Sequence, residues 1–268
     1  MFICCYIVKC KNSINQQNQL NTKFDKKIQS TFVLGSTSTV AKAICIELAK
    51  NHSCKRFHLV SRNSQRNQEL ISQLENIYGA YVTTEQIDLT DNSTLMNSNM
   101  PKINYFELYL IAAGSLGDPD LARNDVQKAL EITAINYSGI IPWITSITSS
   151  ERLSKKGKLW IFSSVAADRG RPSNYHYGAA KAALTTFCEG LFLICQGKPF
   201  SIRIIKAGFI KSPMTKDKAP QVLCIDPKSI AKTLLQNPDR RGIEYLPWWW
   251  ILIMFFVKRM PASIACKL

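Results

Sequence analysis

The sequence has little acidic charge and no long apolar run. Only 19 of its 268 residues are Asp or Glu, against 34 Lys and Arg, which gives a formal net charge of +15. That excess favours anionic partners such as nucleotide phosphates or phospholipid head groups. No basic run with interleaved aromatic residues is present, so we predict no nucleic-acid partner. The longest apolar run, ten residues from Trp248, falls well short of the roughly 20 that a membrane-spanning helix needs.

The cysteines and histidines form no recognisable metal or redox pattern. The sequence has nine cysteines, an odd number, and no two of them have Cys-x-x-Cys spacing. A reducing cytoplasm is therefore the simpler expectation, with most of the thiols packed as small apolar groups. His52, His58 and His176 show neither metal-ligand spacing nor identifiable carboxylate partners, so we predict no metal site.

The first thirty residues differ from the rest of the chain. Residues 1–8 are apolar but too few to span a bilayer, and they lack the basic start and the cleavage site of a signal peptide. Residues 11–27 are polar and rich in Asn and Gln. We therefore predict that residues 1–30 form a mobile extension, with a short membrane-surface contact as the alternative. The folded domain is predicted over residues 31–245, a length that suits one domain.

This domain is predicted to begin with a strand, a turn and a helix. Residues 31–34 are mostly apolar, and Val40, Ile44 and Leu48 then repeat with helical spacing. A dinucleotide pyrophosphate binds to free backbone N–H groups at such a helix N-terminus. An ordinary strand-turn-helix without a ligand is the alternative. The candidate cofactor-binding residues of this turn are Gly35, Ser36, Ser38, Thr39 and Val40.

A later strand and helix carry the candidate catalytic residues. Residues 159–162 are predicted to form a buried parallel strand that delivers Ser164 to its carboxyl end, where ligands gather in open α/β sheets. Twelve residues separate Ser164 from Tyr177, and Lys181 follows four positions later. Tyr177 and Lys181 therefore share one face of a predicted helix. Its apolar stripe consists of Leu184, Phe187, Leu191 and Ile194.

This arrangement suits the reduction of a carbonyl group. A hydride that arrives on a carbonyl carbon leaves an alkoxide, and the alkoxide needs a nearby proton donor. The phenol of Tyr177 is a suitable donor if the positive charge of Lys181 lowers its pKa. Ser164 can hydrogen-bond the substrate oxygen. The alternative is a solvated Tyr-Lys pair on a helix surface.

The Ser-x12-Tyr-x3-Lys spacing, behind a strand and opening a helix, resembles the short-chain dehydrogenase/reductase family. The resemblance implies an α/β fold, a single doubly wound Rossmann domain with a parallel sheet. It also implies that Ser164, Tyr177 and Lys181 are catalytic. Asn136, in Ile-Asn-Tyr-Ser-Gly, resembles the family's fourth catalytic residue, which bends its helix and passes protons through water to the lysine. Its helix is predicted to have an inward stripe of Val126, Leu130, Ala134 and Ile135.

The resemblance also implies further cofactor contacts. It places Asp88 and Leu89 near the adenine, although Asp88 could simply cap a turn. Other implied contacts are Ala113 and Gly114 at a strand end, the Tyr177 and Lys181 side chains, and Ile210 and Ser212 at the nicotinamide carboxamide.

Arg62 favours NADP over NAD. An acidic residue after the second strand normally holds the ribose 2′-hydroxyl of NAD, and none is present here. Arg62 instead offers a guanidinium suited to the 2′-phosphate, although an arginine at this place is often just solvated.

The sequence departs from the family pattern at four positions. Thr39 and Ala41 replace two glycines of the phosphate-binding turn, Ala112 replaces an asparagine, and Ala207 replaces a proline. These departures keep two alternatives open. One is a soluble reductase of a steroid, acyl or other small ketone, and the other is a nucleotide-binding scaffold without turnover.

The stretch from Ser163 to Leu184, which contains Asp-Arg-Gly-Arg at 168–171, is similar to bacterial decaprenylphosphoryl-2-keto-erythro-pentofuranose reductases. This narrower resemblance implies a keto-sugar substrate, linked to a polyprenyl phosphate, in cell-envelope polysaccharide synthesis. It also implies an oxidase partner in a coupled epimerisation. A homo-oligomer is a further expectation.

The tail, residues 246–268, has the residue order of a membrane-surface segment. Three tryptophans come first, then aliphatic and phenylalanine side chains, and then Lys258-Arg259. Tryptophan prefers the water–lipid boundary, and basic residues attract anionic head groups. We therefore predict that the tail attaches the protein to the cytoplasmic face of the plasma membrane. The alternative is a buried segment that covers a sheet edge or a dimer partner.

Overall fold

The computed structural model describes residues 28–91, 103–215 and 219–267. Within these ranges, seven parallel strands form one sheet in the order β3-β2-β1-β4-β5-β6-β7. The strands are β1 (Ser30–Leu34), β2 (Arg56–Ser61), β3 (Tyr81–Gln86), β4 (Leu108–Ile111), β5 (Gly157–Ser164), β6 (Phe200–Ala207) and β7 (Gly242–Leu246). The predicted α/β fold, a doubly wound Rossmann domain with a parallel sheet, is confirmed.

Helices connect the strands and cover both faces of the sheet. They are α1 (Thr39–Asn51), α2 (Gln68–Ser72), α3 (Pro119–Asn124), α4 (Val126–Thr133), α5 (Ile141–Ile147), α6 (Ser150–Leu153), α7 (Tyr175–Ile194), α8 (Pro227–Gln236), α9 (Trp250–Arg259) and α10 (Ala262–Ala265). A wider π turn, Gln73–Ile77, extends α2, and a second one, Ala134–Ser138, extends α4.

The sheet separates two apolar cores because side chains alternate along each strand. On one face, Ile44 of α1 and Leu234 of α8 pack in the same cluster as Trp160 of β5. On the other face, Leu184 of α7 packs in the same cluster as Ile161, the next residue of β5. Each of these side chains is fully buried, and each burial contributes roughly 1.5–3 kcal/mol.

The first strand begins earlier than predicted from the sequence, and local hydrogen bonding sets the start of the fourth. Ile28 is buried and β1 begins at Ser30, so the domain starts slightly before residue 31. The rest of the predicted mobile extension, residues 1–27, lies outside the described residues. Strand β4 begins at Leu108, because the Phe106 N–H donates to the Tyr109 hydroxyl instead of pairing in the sheet.

Two predicted apolar stripes are partly wrong. Val126 and Leu130 of α4 are 72% and 56% exposed, whereas Ile132 is the buried residue of that helix. Only the last turn of α4 packs inward, so its earlier apolar side chains face solvent. In α7, Ile194 is exposed and the following residue, Cys195, is buried.

The tail forms a helix with one buried and one exposed face. Trp250 and Met254 of α9 pack against Val165, next to the carboxyl end of β5. The opposite face consists of Ile251, Leu252, Phe255 and Phe256, all at least half exposed. The tail is therefore packed on one side and open on the other, and its attachment to a membrane stays a prediction. No helix in the described ranges is long and apolar enough to cross a membrane.

Candidate active site

One pocket of about 940 Å³ lies along the carboxyl edge of the sheet. It collects residues from the carboxyl ends of six strands, β1 to β6, because parallel strands all point their carboxyl ends to the same edge. The residues predicted from the sequence that line it are Gly35, Ser38, Thr39, Val40, Arg62, Asp88, Leu89, Ala113, Gly114, Ser164, Tyr177, Lys181, Ile210 and Ser212.

Gly35 makes the sharp turn after β1. Its φ of +86° lies in the left-handed region, and a Cβ there would lie 2.4 Å from the Ala113 backbone nitrogen. Only glycine fits this position without strain. The turn therefore lies directly against the end of β4 and leaves the mouth of the pocket free for a ligand.

Ser36 does not line the pocket, contrary to its prediction as a cofactor contact. Its side chain is fully buried, where it donates to the Val60 carbonyl (3.2 Å) and accepts from Asn67 Nδ2 (2.8 Å). These two bonds hold the turn against β2. The residue therefore supports the site from behind.

The N-terminus of α1 opens on the pocket. Ser38 is the N-cap residue, and its side chain makes no capping hydrogen bond. The first N–H groups of the helix are therefore left for a ligand such as a pyrophosphate. Thr39, which replaces a glycine of the family pattern, is the first helical residue, and Ala41 is fully buried against the core.

A basic group lies beside the end of β2. Arg62, Arg66 and Lys42 all line the pocket, and Lys42 Nζ donates to the Arg66 carbonyl (2.9 Å). Asp88 also lines it, but one oxygen accepts from both the N–H and the hydroxyl of Thr90 (2.9 and 2.8 Å). Asp88 therefore also caps a turn, as its alternative interpretation predicts.

Tyr177 and Ser164 meet at the other end of the pocket. Their side chains are hydrogen-bonded, and Ser164 Oγ also accepts from the Ala166 N–H (3.1 Å). Burial raises the pKa of Tyr177, while the bond to Ser164 and the nearby Arg171 guanidinium lower it.

Lys181 lies behind this pair, bound to backbone. Its Nζ donates to the carbonyls of Phe162 (3.1 Å) and Ala113 (3.2 Å) and lies 6.0 Å from the centre of the Tyr177 ring. Burial lowers the pKa of Lys181 to about 8. A second cation, the Arg171 guanidinium, also lowers the pKa of Tyr177. The expected effect of Lys181 on that phenol stays a prediction.

Asn136 lies in the π turn that follows α4 and is fully buried. Its amide donates to the carbonyls of Ser115 (2.7 Å) and Ile132 (2.8 Å), and its Oδ1 accepts from the Ser115 N–H (3.2 Å). A Cβ on Gly114 would lie 3.0 Å from Asn136 Oδ1 and 3.2 Å from Lys181 Nζ. Asn136 therefore stands beside Lys181, behind the wall of the pocket.

Three basic residues that line the pocket were not predicted from the sequence as site residues. Lys42 and Arg66 belong to polar stretches that look solvated, and their nearness to Arg62 depends on how two helical segments pack. Arg171 was noted only as part of Asp-Arg-Gly-Arg, and nothing in that wording indicates that its side chain turns towards Tyr177.

The site has the parts that a nicotinamide dinucleotide requires: a glycine turn, an open helix N-terminus, and a Ser–Tyr pair. A family model for short chain dehydrogenases matches residues 29–223. The chain belongs to the short-chain dehydrogenase family. It is therefore an oxidoreductase that uses a nicotinamide cofactor.

Two similar proteins show how far the similarity extends along the chain. An uncharacterized oxidoreductase of Mycobacterium tuberculosis (strain ATCC 25618 / H37Rv) is 28% identical over 71% of this chain and 78% of its own length. A 3-oxoacyl-[acyl-carrier-protein] reductase of Haemophilus influenzae is 23% identical over 69% of this chain and 75% of its own length.

A solved short-chain dehydrogenase from Sphingobium yanoikuyae, in complex with NADPH, has the same fold. It superimposes with a TM-score of 0.72 at 15% identity, covering 84% of this chain and 92% of that one. The broad family resemblance is thus confirmed. The narrower similarity to keto-sugar reductases stays a prediction.

Proposed function

We propose that this short-chain dehydrogenase reduces a ketone with NADPH and that Tyr177 is the proton donor. The observation that carries the proposal is the hydrogen-bonded Tyr177–Ser164 pair at one end of a pocket whose other end holds Arg62. A proton donor, a donor for the carbonyl oxygen and a phosphate-binding end thus share one cavity.

The side chains divide the work as follows. The nicotinamide, when bound, supplies the hydride to the carbonyl carbon. Ser164 donates a hydrogen bond to the carbonyl oxygen, and Tyr177 transfers its hydroxyl proton to that oxygen as negative charge develops. The remaining phenolate is stabilised by the positive charges of Arg171 and Lys181. Lys181, fixed between two carbonyls, and Asn136 beside it hold the pocket wall that faces Tyr177.

The preference for NADPH rests on the basic group at the end of β2. Arg62, Arg66 and Lys42 would surround a 2′-phosphate, and residues 61–63 contain no acid that would repel it. NADH has no group to use this charge, so it is expected to bind more weakly.

The test is the oxidation of NADPH, followed by its absorbance, with the purified chain and a panel of ketones. The panel contains keto-sugars, steroid ketones and 3-oxoacyl thioesters. We expect turnover with at least one class. If NADPH binds but no ketone is reduced, the protein is a nucleotide-binding scaffold instead. A steroid or acyl ketone as the only substrate would favour the soluble-reductase alternative.

For the substrate we propose a keto-sugar linked to a polyprenyl phosphate. Two features support this: the similarity of the stretch from Ser163 to Leu184 to reductases of such sugars, and an exposed apolar helix close to the pocket. An oxidase partner that makes the ketone fits the same proposal. The panel above separates this substrate class from the others.

The exposed face of α9 is proposed to lie on a membrane surface. Trp248 adds to the four exposed apolar residues of the helix, and Lys258 and Arg259 follow in its last turn. Arg259 lies over the Phe255 ring, with its guanidinium carbon 3.8 Å from the ring centre. A shallow contact of this kind combines apolar burial with attraction to anionic head groups.

A double variant, Phe255→Ser with Phe256→Ser, tests this contact, because it keeps the buried Trp250 and Met254 in place. The matched control is Ile77→Ser with Tyr81→Ser, two residues of similar exposure. In flotation with vesicles rich in phosphatidylglycerol, the wild type and the control should float and the tail variant should not. Equal recovery of all three in the soluble fraction would assign the tail a purely structural or interface role.

The predicted homo-oligomer has a candidate surface as well. Val126 and Leu130 form an exposed apolar strip on the otherwise polar α4, and Leu193 and Ile194 are exposed at the end of α7. Association through these residues would remove them from water. Light scattering of Leu130→Glu against the wild type checks this proposal.

A further inference from the structure

Arg171 is a charged side chain at the catalytic end of the pocket. In the proposed proton transfer it does not contact the substrate. It lines the pocket together with Ser164 and Tyr177. Its Nε is buried and has no hydrogen-bond partner among the described residues. Burial lowers the pKa of the guanidinium, but arginine starts so high that the group stays charged at neutral pH.

Arg203 is a buried arginine with a structural role, and its contacts provide a comparison for Arg171. Arg203 is buried in β6, and its Nε donates to the carboxylate of Glu244. Its Nη1 donates to the carbonyls of Leu234 (2.9 Å) and Asn237 (3.0 Å). Charge and donors are therefore satisfied within the fold. Arg171 has no comparable set, although much of it is also removed from water.

The carboxylates of the pocket do not compensate Arg171. Asp118 caps α3 by accepting from the N–H groups of Asp120 and Leu121 (both 3.0 Å). Asp120 pairs with Arg123 (3.0 Å), and Asp88 is bound to Thr90. Among the residues that the structure describes, none forms an ion pair with Arg171. The charge thus faces the pocket without a counter-ion from the described residues.

The backbone that carries Arg171 is firmly held on both sides. Asp168 accepts from Lys206 Nζ and from the Tyr245 hydroxyl (both 2.6 Å). Arg169 donates to the carbonyls of Lys258 and Met260 at the end of α9 (2.9 and 3.1 Å). On the other side, the Pro172 carbonyl accepts from Arg123 (2.6 Å). A fixed backbone with an unpaired guanidinium is the form of a binding residue that is ready for its ligand.

A guanidinium in such a place favours a planar or tetrahedral oxyanion, because its N–H groups match carboxylate and phosphate oxygens. Since Arg171 acts electrostatically on Tyr177, a bound anion would lie close to the carbonyl that receives the proton. The net charge of +15 would also attract an anionic substrate to the protein.

We propose that Arg171 binds an anionic group, a carboxylate or a phosphate, that the ketone substrate carries close to its carbonyl carbon. This inference rests on the proposed carbonyl reduction at the same site. It narrows the substrates to ketones that carry an anionic group. The Ser164–Tyr177 pair alone does not select such ketones, because it contacts only the carbonyl oxygen.

The test compares ketones that differ in one charge. Dihydroxyacetone phosphate is paired with dihydroxyacetone, and acetoacetate with its ethyl ester, so the two pairs separate phosphate from carboxylate. The proteins are the wild type, Arg171→Gln, Arg171→Lys and the surface control Arg241→Gln. Binding is measured by calorimetry on the complex with NADP⁺, where no hydride can be transferred, and turnover is measured with NADPH.

The wild type should bind one anionic ketone at least tenfold more tightly than its neutral partner. Arg171→Gln should lose about 10- to 100-fold of that preference, because a charge-assisted hydrogen bond to the anionic group is removed. The loss of the positive charge beside Tyr177 should lower kcat for the anionic and the neutral ketone alike, so the preference isolates the anion contact. Arg171→Lys should restore part of it, and Arg241→Gln should behave as the wild type.

A wild type without preference for either anion would overturn the proposal, and so would an unchanged preference in Arg171→Gln. Either result leaves carbonyl reduction intact if the neutral ketones are turned over. Anion binding that depends on Arg171 without turnover of any ketone would support the anion site and instead contradict the proposed reductase function. If Arg171→Gln does not fold, Arg171→Lys, which keeps the positive charge, still tests the proposal through its reduced preference for the anionic ketone.

Discussion

The two ends of the pocket depend on different parts of the chain. At the phosphate end, the turn after β1 presents backbone N–H groups, and its shape depends on Gly35. At the catalytic end, the Ser164 and Tyr177 side chains carry the chemistry. Thr39, Ala41 and Ala112 depart from the family pattern at the first end. At the second end Ala207, paired with Ser164 in the sheet, also departs, but the catalytic Ser, Tyr and Lys are all kept.

The difference shows which substitutions each end tolerates. A backbone N–H survives a change of side chain, provided that the chain still follows the same path. The Ala112 N–H, for example, still donates to the Leu34 carbonyl (2.8 Å) and keeps β4 beside β1. The proton that Tyr177 donates belongs to its side chain, so a substitution of the tyrosine removes it. The comparison therefore predicts large losses at the catalytic end and losses at the phosphate end only where the backbone path changes.

The largest effect is expected from Tyr177→Phe. Removing the hydroxyl takes away the proton donor, so kcat/KM for any ketone substrate should fall by about 10²- to 10⁴-fold. NADPH binding should stay close to that of the wild type. Tyr175→Phe, two residues earlier on the same helix and partly exposed, is the matched control. Near-normal activity of Tyr177→Phe would remove the tyrosine from the mechanism.

Gly35→Ala should show that the phosphate end fails when its backbone path is disturbed. The new Cβ would lie 2.4 Å from the Ala113 nitrogen at a positive φ, so we expect a loss of about 2–4 kcal/mol in the free energy of unfolding. NADPH affinity should fall with it. Gly190→Ala, where nothing lies within 4 Å of the added atom, should be neutral or stabilising by about 0.5–1 kcal/mol. Chemical denaturation measures both, and equal stability of the two variants would contradict the strain argument.

Arg62→Asp should have an intermediate effect, confined to the choice of cofactor. The carboxylate would repel a 2′-phosphate and accept from a 2′-hydroxyl, so the ratio of kcat/KM for NADPH over NADH should fall by about tenfold or more. The same substitution at Arg241, on the surface, should leave the ratio unchanged. If Arg62→Asp leaves the ratio of kcat/KM for NADPH over NADH unchanged, Lys42 and Arg66 determine the preference for NADPH instead.

Much of this contrast is visible in the sequence, because its signals are local. The strand that ends at Ser164 and the helix that begins near Tyr177 follow from apolar patterns of a few residues. Contacts between distant segments leave no such pattern. The partners of Lys181, Phe162 and Ala113, are fixed by packing between β4, β5 and α7. The exposure of Val126 likewise depends on how α4 lies over the sheet, which an apolar repeat alone does not reveal.

The placing of Arg171 shows the same limit more sharply. Its backbone is fixed by bonds from Asp168 to Lys206 and Tyr245, which come from β6 and β7. Lys206 and Tyr245 lie 38 and 77 residues after Asp168 in the chain. The sequence marks the Asp-Arg-Gly-Arg stretch as distinctive, but only the assembled sheet determines which of its two arginines faces the pocket.

The smallest effect is expected from Thr39→Gly, which restores the glycine of the family pattern. Thr39 is the first residue of α1, and the groups offered to a pyrophosphate there are backbone N–H groups that a glycine also has. Glycine costs under about 1 kcal/mol at such a helical position, and the closer approach it permits offsets part of that cost. We therefore expect the Kd for NADPH to change by less than about threefold. Fluorescence titration of the wild type, Thr39→Gly and Thr39→Val measures it. A gain of tenfold or more in Thr39→Gly would show that the threonine side chain, and not the backbone path, limits cofactor binding, and the contrast between the two ends of the pocket would then fail.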